Sequence, residues 1–321
     1  DRYSKENVPG DKIEKMLGSL PQSFYGLEIA LPPAHSGLNK SDALFLYSPL
    51  NAWLKAEISL GLEILTRVQR DLEECLAISK GLIRPTRSNG KRAKCGLIDA
   101  LKTQQVPRTW ILLDPSSLYR DSATSLSIWL LRLVNHLQHL EECNQIESTG
   151  MRMNCIVLGM YFLPRRFLSG FMQEKVRMNT LLPKGSKWTL DEAVLHSRVT
   201  SSFKISTEVP RKRNVEHEHC IYIRDLTLEG GRCEAGVLLP PAPKTFRSPM
   251  PFIQLDVCSS QSQAVAGSVM VYHCPVYYSC ERGDRAVLFH VPLPFESGRN
   301  KDDWAISGVA AFFVDDAKAA F

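Results

Sequence analysis

The stretch SPLNAWLKAEISLGLEILTRVQRDLEECLAISKG, residues 48–81, decides the fold of this chain. Small or apolar residues recur along it in alternating steps of four and three, which keeps them on one face of an α-helix. Ser48 and Pro49 suit the start of a helix, and Gly81 suits the left-handed residue that closes one. The stretch therefore predicts one helix of about 32 residues, roughly 48 Å long. The residues of this apolar stripe are Leu54, Ile58, Gly61, Leu65, Val68, Leu72 and Cys75.

Further apolar residues lie off the apolar stripe, at Trp53, Leu62 and Ile64. A helix with more than one apolar face is usually buried by several neighbours, whereas a coiled coil needs only a narrow seam. A helix of this length suits a strut, a coiled-coil partner or the spine of a helical layer. We therefore expect a buried spine that packs against other helices.

The composition is that of an ordinary globular protein, with 321 residues, 44% of them hydrophobic and 23% charged. The length allows two domains or one large one, and a net charge of +5 does not demand a nucleic-acid partner. None of the 9 cysteines lies in a C-x-x-C pair, which predicts reduced thiols in a cytosolic protein. No apolar run approaches the ~18 residues of a membrane span. A first residue other than Met suggests a piece of a longer protein or a processed chain.

The apolar period changes along the sequence and divides it into three parts. Residues 1–47 are weakly patterned and predict a lead-in with one short helix from Lys12 to Leu20, stopped by Pro21. Residues 48–198 carry helical patterns and predict a helical subdomain. Residues 199–321 have an apolar period near 2, which predicts short strands. Helices that precede strands in this way predict an α+β fold ending in a small sandwich or barrel.

The individual elements follow from the same patterns. After the long helix we predict a short helix from Leu97 to Thr103, a second strong helix from Ser125 to Gln145 and a third from Pro164. A capping box at 189–192 predicts a brief helix through Leu195. The predicted strands are Val199–Thr207, Cys220–Leu228, Gly236–Leu239, Phe252–Cys258, Val269–Ser279 and Ala286–Val291.

Two groups of residues could hold a metal ion. His136 and His139 lie three apart on the second helix and are followed by Glu142, but the sequence indicates no further ligand. The densest ligand-type cluster is HEHC at 217–220, and the basic run at 211–213 before it favours a charged hairpin loop. We expect a solvated helix face in the first case and a loop in the second.

A thiolate nucleophile at Cys274 or Cys280, near His273, is the enzymatic alternative. The period-2 pattern places these cysteines in a strand and at its end, and no acid that would orient a base is indicated. The sequence also lacks the G-x-x-x-x-G-K-[ST] phosphate loop. We therefore predict no catalytic residue, nucleotide site, metal or cofactor in this protein.

The segment from Arg84 to Lys94 is basic and contains no acidic residue. It could contact phosphate, RNA or an acidic partner, but no aromatic residue is interleaved with its charges, so we expect a solvated loop. A competing function is a free-standing module whose barrel and basic loop bind RNA or another anion. That function requires exposed aromatic residues, and the candidates are Tyr272, Tyr277 and Tyr278.

Short motifs in one order along the sequence resemble the C-terminal region of dynein heavy chains, roughly from Ser48 to Val314. Two departures occur in the strand region, where Asp225 replaces a family glycine and GRC at 231–233 replaces the family sequence. The motifs that carry the resemblance are SPL at 48–50 with EISLG at 57–61, VPRTW at 106–110, FLP at 162–164 with Phe167-Leu168 and Met172-Gln173, WTLDE at 188–192, YIRDLTLEG at 222–230, CPVY at 274–277 and GVA at 308–310.

The resemblance implies a helical layer followed by an incomplete antiparallel β-barrel. In the family this region follows the last AAA+ module, lies across the ring of modules, braces it, and modulates force and processivity. The parent protein would hydrolyse ATP with Mg, move towards microtubule minus ends and assemble with other dynein subunits. It would work on the cytoskeleton in the cytoplasm, with an axonemal location as the alternative. The details favour a heavy chain of the cytoplasmic type, and neither a membrane nor nucleic acid is expected as a partner.

The same reasoning selects structural and interface candidates rather than catalytic ones. We expect the long helix to share its apolar faces with the ring, so that some apolar surface is exposed in the isolated protein. The candidates from the helix are Leu54, Ile58, Leu65, Val68 and Leu72, and those from the motifs are Trp110, Phe167, Leu226, Pro275 and Tyr277.

Overall fold

A computed structural model describes residues 10–21, 48–83, 91–116, 125–148, 155–181, 187–200, 220–260, 270–278, 282, 287–296, 298 and 300–313. The described part contains both helices and sheets, as an α+β fold requires. The helices are α1 (Gly10–Ser19), α2 (Pro49–Ser79), α3 (Lys91–Lys102), α4 (Arg108–Leu113), α5 (Leu126–Ser148), α6 (Pro164–Leu181) and α7 (Lys301–Ile306).

Packing divides the protein into two units. The first unit comprises Asp1–Ala30, Leu54–Asn144 and Ala317–Phe321, and the second comprises Leu31–Trp53 and Gln145–Asp316. These units do not follow the predicted subdomains at 48–198 and 199–321, because α6 groups with the strands. The predicted subdomain boundary near residue 199 stays a prediction.

Helix α2 covers 31 residues and ends as the sequence predicts. Gly81 has a φ of 73°, and its amide donates to the carbonyl of Ile78 at 3.0 Å. The amide of Leu82 donates to the carbonyl of Ala77 at 2.9 Å. These two bonds form the Schellman motif, in which a left-handed residue satisfies the last carbonyls of a helix. The predicted closure at Gly81 is confirmed.

The apolar stripe of α2 is buried along its whole length. Each of its Leu, Ile, Val and Cys side chains is 4% exposed or less. Trp53 and Ile64, which lie off the stripe, are buried as well. The expectation that some apolar surface of this helix is exposed in the isolated protein is therefore wrong for the stripe, because other residues of the same polypeptide bury it.

In the first unit, α1 packs along the C-terminal half of α2. Lys80 and Glu14 form an ion pair at 2.6 Å, and the Gln69 side chain donates to the carbonyl of Pro21 at 2.9 Å. The predicted short helix in the lead-in is confirmed, although it begins at Gly10. Helix α3 begins at Lys91, so the end of the basic segment is helical rather than a loop, and residues 84–90 lie outside the described residues.

The second unit contains three sheets. The four-stranded sheet has the order β1-β3-β8-β2, the five-stranded sheet β10-β9-β11-β4-β7, and the third pairs β5 with β6. The pairs β1–β3 and β9–β11 are parallel and the others antiparallel. No sheet of the described residues closes into a barrel. The strands are β1 (Cys155–Ile156), β2 (Ala193–Thr200), β3 (Ile221–Ile223), β4 (Leu226–Glu229), β5 (Arg232–Glu234), β6 (Val237–Leu239), β7 (Arg247–Pro249), β8 (Phe252–Ser259), β9 (Val271–Tyr277), β10 (Val287–Pro294) and β11 (Ala310–Phe313).

Two predicted elements need correction. The capping box between Thr189 and Glu192 forms, but the predicted helix through Leu195 is wrong because β2 begins at Ala193. Pairing of β2 with β8 over eight residues holds this segment extended. The predicted strand at 220–228 is split into β3 and β4, because Asp225 has a φ of 62°. Such a residue cannot continue a strand.

Candidate functional site

Trp110, predicted from a motif, belongs to a group of side chains that we call the spine cluster: Arg67, Asp71, Trp110 and Trp129. The indole N–H of Trp110 donates to Oδ2 of Asp71 at 2.8 Å. Nε of Arg67 donates to both oxygens of the same carboxylate, at 3.1 and 3.0 Å. The Trp110 and Trp129 rings stack with their centroids 5.6 Å apart. The spine cluster thus ties α4 to α2 and α5 within the first unit.

Asp71 is the buried acidic member of the spine cluster, and sequence reasoning missed it. It is 7% exposed, and burial of a carboxylate is costly unless the group is paired and hydrogen-bonded. Its position supplies a signal, because it lies three residues after Val68 and four before Cys75. A carboxylate at a buried helical position predicts a buried donor, although the sequence does not say which residue donates.

Phe167, also predicted from a motif, belongs to the aromatic cluster of the second unit: Trp53, Tyr161, Phe167 and Phe171. The Trp53 ring meets the rings of Tyr161 and Phe167 edge to face at centroid distances of 4.7 and 4.8 Å. Phe167 stacks on Phe171 at 6.4 Å. Edge-to-face and offset-stacked pairs contribute about 0.5–1.5 kcal/mol beyond the area they bury. The cluster holds the first turn of α2 against α6.

A polar group reinforces this contact. The Ser48 hydroxyl donates to Oε2 of Glu174 at 3.0 Å, and Nε of Arg177 donates to the same oxygen at 3.1 Å. Lys175, next to Glu174, pairs with Asp256 of β8 at 2.6 Å. Sequence reasoning assigned Ser48 only to the helix start and missed both carboxylates, because their partners are distant in the sequence.

Three further candidates lie in the sheets of the second unit. Leu226 of β4 is buried, whereas Pro275 and Tyr277 of β9 are half-buried. The Tyr277 ring stacks on Phe312 of β11 at a centroid distance of 5.6 Å. This stacking joins two neighbouring strands across one face of the five-stranded sheet, which is a structural contact rather than a ligand site.

Beside these residues lies a group that the sequence did not indicate, here called the Glu229 cluster: Glu229, Arg247, Arg282 and Phe312. Both arginines donate to the Glu229 carboxylate, Arg247 through Nε at 3.2 Å. Nη1 of Arg282 also donates to the carbonyl of Gly308 at 2.8 Å, and its guanidinium lies 5.4 Å from the Phe312 ring centroid. The Glu229 cluster ties β4, β7, β11 and the end of α7 together.

The candidate metal ligands that the structure describes do not form a metal site. No three His, Cys, Asp or Glu side chains of the described residues are placed to hold a metal ion. The expected solvated face is wrong for His136, which is 3% exposed. His139 lies 3.9 Å from Glu142 and 3.7 Å from the sulfur of Cys143. The cluster at 217–219 lies outside the described residues.

The thiolate alternative fails at Cys274. Burial raises the pKa of this thiol to about 12, whereas a reactive cysteine needs a lowered pKa and an accessible sulfur. Cys280 lies outside the described residues.

Two of the three tyrosines predicted for RNA binding cannot form the required aromatic face, and the third, Tyr277, is only half-buried. Tyr272 and Tyr278 are buried, and their hydroxyls donate to the carbonyls of Val309 at 2.9 Å and Tyr161 at 2.8 Å. Bases could not stack on either ring. A separate finding concerns membranes: among the helices of the described residues, none combines the length and apolar character that a membrane span needs.

Comparison with known proteins gives one family. The family model for the C-terminal domain of dynein heavy chains matches residues 2–313. The ciliary dynein beta chain of Tripneustes gratilla is 27% identical over 217 residues, which is 67% of this chain and 4% of that protein. Dynein axonemal heavy chain 9 of Homo sapiens is 26% identical over 252 residues, or 78% of this chain and 5% of that protein. The cytoplasmic dynein heavy chain of Dictyostelium discoideum is 24% identical over 257 residues, which is 80% of this chain and 5% of that protein.

These matches identify the family and also show how much of each relative the sequence covers. The aligned part covers 4–5% of the length of each relative, so the sequence matches a small portion of such a protein. Identities of 24–27% to ciliary, axonemal and cytoplasmic dyneins alike do not support the expected preference for the cytoplasmic type. The family match spans nearly the whole sequence and contains the spine, aromatic and Glu229 clusters. The chain belongs to the family of C-terminal domains of dynein heavy chains.

Proposed function

We propose that this domain braces the ring of AAA+ modules in a dynein heavy chain, and that it modulates the force and processivity of movement towards microtubule minus ends. The observation that carries the proposal is α2 within the first unit, where α1 and the spine cluster hold a helix whose apolar stripe is buried. Close-packed interiors have low compressibility and transmit strain. A helix held in this way suits a load-bearing element.

The bond between Trp110 and Asp71 is central to that rigidity. A hydrogen bond to a charged group contributes about 1.5–3 kcal/mol, and the loss of one partner leaves a buried carboxylate incompletely satisfied. Under load α4 therefore resists separation from α2.

We also propose that the strands act as one incomplete barrel, antiparallel except at the β1–β3 and β9–β11 pairs. β2 is the last strand of the four-stranded sheet and β10 the first of the five-stranded sheet. The Ser197 hydroxyl of β2 donates to the carbonyl of His290 in β10 at 2.6 Å, which supports one curved layer of strands open at its other edge. Such a layer would give the brace a stiff platform.

The proposal includes the parent protein's chemistry and setting. ATP and Mg would act in the ring modules of the same heavy chain, and the motor would work on microtubules with other dynein subunits, in the cytoplasm or in an axoneme. This domain would hold no nucleotide. Calorimetry with the purified protein should then give no ATP-binding heat at micromolar concentrations, and a saturable micromolar isotherm would contradict this part.

The bracing role can be tested with two substitutions on α2. Leu72 is fully buried, and Leu72→Ala should cost about 2–5 kcal/mol of stability in the isolated protein. The matched control is Thr66→Ala at an exposed position of the same helix, which should change stability by less than about 0.5 kcal/mol.

In the intact motor, Leu72→Ala should shorten run length and change the microtubule-stimulated ATPase, whereas Thr66→Ala should leave both unchanged. If Leu72→Ala destabilises the isolated protein but leaves the motor's ATPase and run length untouched, the bracing role is wrong. The region would then be a passenger domain.

A further inference from the structure

An exposed proline-rich segment, Pro240–Arg247, connects β6 to β7. Its sequence is PPAPKTFR, and all of its residues except the half-buried Ala242 are exposed. Phe246 is 69% exposed, so its ring is accessible to a partner. We call Pro240–Arg247 the proline segment.

The prolines fix the backbone of the proline segment. Proline holds φ near −65°, and the residue before a proline is restricted to extended conformations. This restriction applies to Leu239, Pro240 and Ala242. The amide of Thr245 donates to the carbonyl of Ala242 at 3.0 Å, and Lys244 has a φ of 63°. That combination defines a type II turn with Pro243 at its second position, where the backbone is also extended.

These restrictions favour one turn of a left-handed polyproline helix over the first four residues of the proline segment. This helix has three residues per turn, so Pro240 and Pro243 lie on one face and Pro241 lies on another. The P-x-x-P spacing is the one that aromatic-lined grooves recognise.

Both ends of the proline segment are anchored in the second unit. Leu238 of β6 is buried and pairs with Cys233, and Ser248 of β7 pairs with Leu228. The Ser248 hydroxyl also donates to the carbonyl of Gly231 at 2.8 Å. Anchored ends and restricted dihedral angles reduce the entropy that the segment would lose on binding.

The charge of the proline segment indicates the character of its partner. Lys244 and Arg247 are both exposed, and the sequence has no acidic residue between Glu234 and Asp256. Arg247 shares the Glu229 carboxylate with Arg282, so the local excess charge is positive. A matching partner needs carboxylates beside its groove.

We propose that the proline segment is a docking site for a protein domain of the SH3 type. The aromatic side chains of such a groove would receive Pro240 and Pro243, and carboxylates at its edge would meet Lys244. Phe246 would add apolar contact at the rim. Nothing in the bracing role requires these residues to be exposed, so this site is independent of that function.

The test is a binding screen of the full 321-residue protein against a panel of purified SH3 domains by fluorescence anisotropy. At least one domain should bind saturably. The double variant Pro240→Ala/Pro243→Ala and the single variant Lys244→Glu should each weaken that binding about tenfold or more. The matched control, Pro241→Ala, should weaken it less than about threefold, because Pro241 lies off the recognised face.

Two results would overturn the proposal. One is the absence of saturable binding by every SH3 domain in the panel. The other is binding that the double variant and Lys244→Glu leave unchanged, which would place the contact elsewhere on the protein. Melting curves establish whether the variants fold. If the double variant does not fold, the Lys244→Glu variant alone decides the test.

Discussion

Replacing Gly230 with alanine should destabilise this protein by about 2–5 kcal/mol. Gly230 follows β4 with a φ of 73°. A Cβ atom there would lie 2.7 Å from the carbonyl oxygen of Ser307 and 3.3 Å from backbone atoms of Gly308 and Val309. These are main-chain atoms at the end of α7, so no side-chain rotation can relieve the contact.

The magnitude has two parts. An L-residue in the left-handed region costs about 1–2 kcal/mol relative to glycine. Forcing one extra carbon into a packed site adds about 1–3 kcal/mol through backbone shifts. The second part depends on the close approach to α7, so it should vanish at a glycine that has the same conformation but open surroundings.

Gly236 provides that matched control. Its φ is 84°, and no atom lies within 4 Å of a Cβ built there, so Gly236→Ala should cost only about 1–2 kcal/mol. Urea unfolding of the purified protein, followed by circular dichroism, measures both variants. Equal losses, or a loss below about 1 kcal/mol for Gly230→Ala, would refute the reasoning.

Other predictions concern single residues in each unit. Asp225→Gly restores the family's glycine but should change the free energy of unfolding by less than about 1 kcal/mol, because relief of left-handed strain is offset by glycine's entropy. A loss of several kcal/mol would show that Asp225 makes a specific contact. Trp110→Phe should cost about 1–3 kcal/mol in urea unfolding, because Asp71 loses a buried donor, and an unchanged midpoint would contradict the spine cluster. The contribution of the buried Cys274 thiol to stability should be fully present below pH 9.0, where the thiol is protonated in both the folded and the unfolded state. It should be lost as the pH rises towards about 12, because the thiol of the unfolded state ionises first. Cys274→Ala should reduce that slope, and a slope of equal size would contradict the assignment.

The features that the sequence could predict are those set by the periodic spacing of apolar residues or by neighbouring residues. The apolar stripe of α2 specifies both the helix and its buried face, because a 3.6-residue period needs no information from distant residues. The alternation in β8 works in the same way: Ile253, Leu255 and Val257 are buried, and Gln254 and Asp256 between them are not. Local closure at Gly81 is likewise a property of neighbouring residues.

Pairings between distant residues explain what the sequence could not predict. Arg282 meets Glu229 across 53 positions, and Trp110 meets Asp71 across 39. Strands β5 and β7 have three residues each, too few to display a period. The capping box wrongly predicts a helix through Leu195 at the start of β2, because the box is local, whereas the pairing of β2 with β8 is not. The sheet order, and with it the open edge of each sheet, also depends on such pairings.

The most direct test of the bracing role is an optical-trap measurement of stall force and run length. It compares a complete heavy chain with one truncated just before Ser48 of this region. The account predicts that the truncated motor still binds and hydrolyses ATP but differs from the complete motor in both stall force and run length. Identical stall force and run length in the two motors would contradict the central claim.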